Sequence, residues 1–114
     1  MTVADRNIEC VAGEAIACTI PVVYQQKVGN AEVPVDMAGA VATVRVKVFA
    51  TAELLLEKPA TIDVDAAEIS FVLESEDTAT AGNFYWDCLL VDVAGRPFVV
   101  ARGALVVRAA PVPG

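Results

Sequence analysis

An acidic segment is the first group of residues whose types and spacing could do chemistry. Asp63, Asp65 and Glu68 form the pattern D-x-D-x-x-E, and carboxylate oxygens are the ligands that calcium prefers. The glycine and the remaining ligands of an EF-hand loop are absent from this segment. We therefore favour a solvated acidic turn over a calcium site, and we expect no metal.

The cysteines are a second candidate, for disulfide or redox chemistry. Cys10 and Cys18 flank a turn at Gly13-Glu14 and could face each other across a hairpin. Two small buried thiols are the favoured interpretation, and Cys88 is expected to lie in the core as well. Three cysteines are an odd number, which fits poorly with a disulfide framework and indicates a chain kept in a reducing cytoplasm.

The aromatic residues could form a platform on which a sugar ring stacks. Tyr24, Tyr85 and Trp86 are the candidates, but Trp86 lies on the apolar, inward face of its predicted strand, which favours core packing. Tyr85 shares the opposite face with Leu89 and Val91, where a strand of an isolated domain should be polar. This pattern predicts a protein contact at Tyr85, Leu89 and Val91.

The composition argues against an enzyme. The chain has no histidine, which excludes Ser-His-Asp catalysis, Cys-His catalysis and His-ligated zinc. It has 15 acidic residues, but no pair stands out as the two carboxylates of a glycosidase. We expect a non-enzymatic protein with no catalytic residue, no cofactor and no small-molecule substrate.

Charge and hydropathy limit the class of partner. The net charge of -7 and the isoelectric point of about 4.3 argue against nucleic acid and anionic membrane surfaces. No stretch approaches the roughly 18 to 20 apolar residues of a membrane helix, and the N-terminus lacks a secretory signal pattern. The mean hydropathy of +0.57 is high for a soluble monomer and indicates apolar surface that a protein partner covers.

Short strands are predicted throughout the 114 residues. The clearest is VATVRVKVF, in which valines at 44, 46 and 48 alternate with Thr43, Arg45 and Lys47. Arg45 and Lys47 therefore lie on the outer face, where they either orient a partner or are simply solvated. Other strands are predicted at 3–11, 15–23, 60–64, 68–74, 83–91 and 98–107, with a polar loop at 25–34 and a Gly95 hairpin turn.

Two segments carry other expectations. The run 53–57 (ELLLE) fits either a short strand or a helical turn, and Pro59 is expected to end it. Ser75 to Ala79 is predicted to form one helical turn with Ser75 as its N-cap. The pattern as a whole predicts an all-β, immunoglobulin-like antiparallel β-sandwich of about seven strands with that one helical turn, spanning residues 1–110, followed by a proline-rich tail at 111–114.

The order of these landmarks resembles a family of small phage domains. The matching pieces are the strand–turn–strand unit at 8–20, VDMAGA leading into VATVRVKV, ISFVL followed by SEDTA, FYWDC through Val91-Asp92 and Gly95, and RGALVV near the end. Together they resemble the N-terminal immunoglobulin-like domain of siphophage upper baseplate proteins and of related tail or fibre-associated proteins. Met37-Ala38 stands where such domains often have Leu-Thr, and no fibre or receptor-binding region is expected to follow.

The resemblance implies a structural role in a virion. It implies a baseplate, tail or fibre-attachment component, present as a homo-oligomer or in many copies, made in the host cytoplasm and held to other virion proteins through its sheet faces and strand edges. A capsid decoration protein is the alternative within the same class. A carbohydrate-binding module is the alternative from another class.

Overall fold

The computed structural model describes residues 4–22, 25–28, 31–34, 37–49 and 51–110, and this part of the chain is all-β. It contains no helix, and so none long and apolar enough to cross a membrane. Its ten strands are β1 (Ala4–Asp5), β2 (Ile8–Val11), β3 (Ile16–Pro21), β4 (Gln25–Val28), β5 (Ala31–Pro34), β6 (Val41–Val48), β7 (Leu54–Asp63), β8 (Glu68–Leu73), β9 (Gly82–Val91) and β10 (Pro97–Arg108).

Eight of these strands form one sheet in the order β1-β10-β9-β6-β7-β8-β3, with β2 also paired to β10. The first two strands run parallel to β10, and the other pairings of this sheet are antiparallel. The N-terminal segment and β3 therefore lie at the two ends of the strand order. Pro21, the last residue of β3, has no backbone N–H, and an end strand tolerates such a residue.

The ten-residue strand β7 changes partner along its length. Residues 54–60 pair with β6, and residues 61–63 pair with β8. The strand thus passes from one group of strands to the other, so both groups can pack around one core. We had expected Pro59 to end the segment, but the strand continues through it. The segment 53–57, predicted as a strand or a helical turn, and the predicted strand 60–64 therefore belong to one strand. Residues 54–60 pair with β6 alone, and a strand that is paired on one side only is a place where a missing N–H is tolerated.

The inward faces of the strands are those that the alternation predicted. Val44 and Val46 on β6 are buried, and so are all three predicted core residues of β8. Trp86 is 2% exposed, and its ring lies 5.4 Å from that of Phe71, centroid to centroid. Among the described residues, the buried apolar core consists of Ile8, Cys10, Cys18, Ile20, Met37, Ala42, Val44, Val46, Ile69, Phe71, Leu73, Trp86, Cys88, Leu90, Val100, Ala101, Leu105 and Val107.

The expected helical turn at 75–79 is absent, and a hydrogen-bonded turn takes its place. The Asp77 carboxylate accepts the N–H of Glu74 at 2.7 Å, and the Asp77 N–H donates to the Glu74 carbonyl at 2.9 Å. Thr78, which is fully buried, donates its hydroxyl to the Glu14 carbonyl at 2.6 Å. The segment is short, and these side-chain and long-range bonds replace the i to i+4 bonds of a helix.

The predicted polar loop at 25–34 contains the strands β4 and β5. They pair with each other in a separate two-stranded sheet, and the connecting residues 29–30 lie outside the described residues. A Gly-Asn pair between two four-residue runs is a known hairpin signal, so the sequence held the evidence for this hairpin.

A contact between the N-terminal segment and β10 depends on a glycine. A Cβ placed on Gly103 would lie 1.8 Å from the carbonyl oxygen of Arg6. The same oxygen accepts the indole N–H of Trp86 at 2.8 Å, and the Arg6 N–H donates to the Arg102 carbonyl at 2.8 Å. Only glycine permits this approach, which joins the buried tryptophan to the edge of the sheet.

The three cysteines are buried, free thiols, as the favoured interpretation predicted. Cys10 and Cys18 do not belong to one hairpin, because β2 pairs with β10 whereas β3 pairs with β8. Burial raises the pKa of both thiols, and it raises the pKa of Cys88 to about 12. None of the three is poised as a reactive thiolate at neutral pH.

We predict that Gly103→Ala lowers the free energy of unfolding by at least about 2 kcal/mol, since a methyl group would overlap the Arg6 carbonyl. Urea unfolding followed by the fluorescence of the single tryptophan measures this loss. Gly13→Ala is the control, because Gly13 has open space around it and a φ of 86°, so only backbone strain of about 1 kcal/mol is expected. Equal losses in the two variants, with unchanged native tryptophan emission, would contradict the close contact.

We predict that Cys88 makes stability fall at alkaline pH. The folded state keeps this thiol protonated up to a pKa of about 12, whereas the unfolded thiol ionises near its ordinary pKa of 9.0. The stabilising effect is therefore complete below pH 9 and is lost as the pH rises towards 12. Between pH 8.5 and 10 the wild type should lose about 1 kcal/mol more than Cys88→Ala in urea titrations. Parallel losses in the two proteins would show that Cys88 does not contribute.

Candidate interaction surface

The outer face of β6 and β9 brings together the five residues that the sequence analysis assigned to a partner. In the register of these two strands, Arg45 lies opposite Asp87 and Lys47 lies opposite Tyr85. Farther along the same face, Leu89 lies opposite Thr43, and Val91 lies opposite Val41. All of these side chains project from the side of the sheet that faces away from the core, because residues two apart share a face.

A row of alternating charges crosses the middle of this face. Asp5, Arg102, Asp87, Arg45 and Glu57 are successive cross-strand neighbours on β1, β10, β9, β6 and β7. We call these five residues the charge row. Opposite charges directly across a pair of strands stabilise the sheet, whereas like charges would weaken it.

The centre of the charge row is the ion pair between Arg45 and Asp87. The two Asp87 oxygens accept Arg45 Nε at 2.6 Å and Nη2 at 3.0 Å, and both side chains are largely buried. The pKa of Arg45 is raised, and its hydrogen bond to Asp87 is the largest cause. Burial lowers this pKa, whereas the nearby charges of Asp87 and Glu57 raise it further. This planar, two-bond geometry holds the guanidinium in one orientation.

The two predicted cations of the surface are therefore already engaged within the chain. Lys47 Nζ also lies 3.4 Å from an Asp87 oxygen. A partner that used Arg45 or Lys47 would have to compete with Asp87 for them. Sequence reasoning missed Asp87, because strand order and register, which put it opposite Arg45, cannot be derived from alternation within one strand.

A group of half-exposed apolar side chains lies around the turn between β6 and β7. Phe49, Leu54, Leu55 and Tyr85 are 51%, 46%, 50% and 42% exposed, respectively. We call these four residues the apolar corner. The rings of Phe49 and Tyr85 stack with their centroids 4.5 Å apart and their planes at 27°. Phe49 thus contacts Tyr85, Leu54 follows Lys47 in the cross-strand register, and Leu55 lines a depression on the core side of the turn. Sequence reasoning did not single out any of these three residues.

The other end of the face, near the β9–β10 turn, is apolar to a lesser degree. Leu89 and Val91 are half-buried, whereas Val41 and Val93 are 65% and 76% exposed. The turn itself is held by Asp92, whose carboxylate accepts the backbone N–H of Arg96 at 2.8 Å and its Nε at 2.9 Å. The backbone bond from Arg96 is the main reason that the pKa of Asp92 is lowered.

Two depressions flank the apolar corner. One, of about 630 Å³, lies on the outer face, where the small residues Ala52, Gly103 and Ala104 leave room beside Tyr85 and Arg102. The other, of about 340 Å³, opens on the core side of the turn, between β6, β7 and the segment 76–80. We call this second depression the end cavity.

The other residues that the sequence analysis considered for metal or sugar binding do not form a site. Asp63 accepts the backbone N–H of Ala66 at 3.1 Å and so stabilises the exposed turn between β7 and β8, next to Asp65. Among the residues that the structure describes, no three metal-ligating side chains come together. Trp86 of the proposed sugar platform is in the core, and Tyr24 lies outside the described residues.

A scan against models of protein families finds no match for this chain, and a search of curated proteins finds none either. The resemblance to siphophage baseplate domains thus stays a prediction that rests on the quoted residues. The case for a function must be made from the geometry of the outer face, the apolar corner and the two depressions.

Proposed function

We propose that the chain is an immunoglobulin-like β-sandwich. Two features of the strand pairing support this. The antiparallel groups β3-β8-β7 and β6-β9-β10 correspond to the strand groups B-E-D and C-F-G of that fold, and β7 connects them. The edge strand β2 runs parallel to β10, the last strand of the chain.

We further propose that the chain is a non-enzymatic bacteriophage virion structural protein, a baseplate, tail or fibre-attachment component that works through protein–protein interfaces. The single observation that carries the interaction role is the apolar corner. Four large apolar side chains are about half exposed at one place, including a stacked aromatic pair. Exposed apolar side chains grouped around one turn are typical of a binding site, and the resemblance of the sequence supplies the virion setting.

The corner has the composition of an interface centre. Tyrosine is among the residues that most often dominate binding free energy, and Phe49 holds its ring in place by stacking, which lowers the entropy lost on binding. The charge row next to the corner is satisfied internally. It therefore suits the rim of an interface, where ion pairs stay hydrated and add orientation more than affinity.

The direct test of the virion role is the protein composition of purified particles. We expect mass spectrometry of gradient-purified phage that encodes this chain to find it in a constant molar ratio to a major structural protein. A phage-encoded enzyme of the infected cell, which should wash away during purification, is the control. A chain that is abundant in the lysate but leaves the particles with that enzyme would overturn the virion assignment.

The interaction role has its own test in self-association. We expect light scattering in the micromolar range to show an oligomer, and the double variant Leu54→Ser, Tyr85→Ser to weaken its assembly about tenfold or more. Val72→Ser is the matched control, because Val72 is 43% exposed on β8, away from the corner. A wild type that stays monomeric, or a control that weakens assembly as much as the double variant, would count against the corner as a contact between copies.

A further inference from the structure

The end cavity is apolar within and lies beside the first residues of β7, where Leu55 and Leu56 line it. Residues 54–60 of β7 pair only with β6, so the core at this end is covered by the segment 76–80 and not by a further strand. The buried side chains of Val46 and Leu105 reach its floor, and Val48, Leu56 and Phe84 form its walls. Its volume of about 340 Å³ lies in the range of pockets that hold small ligands or side chains.

An ion pair holds the covering segment in place. Lys58 projects from the core-facing side of β7, and its Nζ lies 2.5 Å from an Asp77 oxygen. On the other side, the Gly13 N–H donates to the Thr78 carbonyl at 2.9 Å. The segment is therefore anchored at two adjacent residues, Asp77 to β7 and Thr78 to the turn after β2.

The opening of the end cavity is negatively charged. Glu76 and Asp77 line it, and Asp77 is paired with Lys58. No cation among the described residues forms an ion pair with Glu76, which is exposed. An apolar group that enters the cavity thus passes the Glu76 carboxylate. A positive charge next to the apolar group would be attracted to that carboxylate.

We propose that the end cavity is a second binding site, which takes an apolar side chain of a partner protein that is directly followed in its sequence by lysine or arginine. The apolar side chain fills the space between Val46, Phe84 and Leu105, and the cation pairs with Glu76. This site opens on the core side of β7, whereas the stacked Phe49 and Tyr85 lie on the outer face, and Leu55 lies between the two. The chain would thus join two neighbours through adjoining surfaces. It does not depend on the virion assignment.

The test is a titration of the ¹⁵N-labelled chain with capped dipeptides at low ionic strength. We expect N-acetyl-leucyl-lysine amide to shift the backbone amides of Val48, Leu56 and Phe84 in a saturable way. The leucyl-glutamine peptide should bind about two- to fivefold more weakly, which is the size of effect that an exposed ion pair supplies. The alanyl-lysine peptide should give no saturable shifts, because its methyl group leaves the cavity unfilled.

Three variants locate the effect. Val48→Phe should fill the cavity and abolish the shifts, with folding checked by the tryptophan emission. Glu76→Gln should make the lysine and glutamine peptides bind equally, whereas Asp65→Asn, an equal change of charge in the distant β7–β8 turn, should preserve the difference. Equal binding of the two peptides to the wild type, or shifts that survive in Val48→Phe, would overturn the proposal. Neither outcome bears on self-association through Leu54 and Tyr85.

Discussion

The change of partner along β7 is the constraint on which the rest of the structure depends. Because residues 54–60 pair with β6 and residues 61–63 pair with β8, one strand belongs to both groups of strands, and a single apolar core can form between them. Around residues 54–60, which pair only with β6, no further strand covers that end of the core. The Lys58–Asp77 ion pair and the buried Thr78 hold a turn over that end, which creates the end cavity.

The apolar corner and the charge row follow from the same arrangement. Leu54 and Leu55, the first residues of β7, are about half exposed, and so are the stacked Phe49 and Tyr85 near the same turn. On the outer face, the register of five strands aligns acids with bases in one row. A sheet that neutralises its own central charges in this way can keep an apolar surface beside them without offering an unpaired ion to that surface.

The pattern of residues within single segments predicted much of the fold. It failed where contacts between distant segments determine the structure. Alternation identified the inward faces of β6, β8 and β9, because period two follows from the pleat alone. It could not anticipate that β7 runs through Pro59, since proline suits a strand that is paired on one side only, and which strands pair there is not visible in the local pattern. It also predicted a helical turn at 75–79, where bonds to Glu14 and Lys58, distant in sequence, stabilise a different turn. Of the candidate surface, it found Tyr85 but missed Phe49, Leu54 and Leu55, whose exposure depends on where the other strands end.

By itself, the sequence determined that the chain is all-β, which side of most strands is buried, and that its thiols are hidden, because these properties depend on residue type and a two-residue repeat. It also limited the chemistry, since a chain without histidine lacks the usual proton carrier near neutral pH. Only the tertiary structure decided that Gly103 must be glycine, that Arg45 pairs with Asp87, and that four apolar side chains meet at one corner. The physical reason is that strand order, register and the switch of β7 are set by packing between segments far apart in the chain, which no local pattern records.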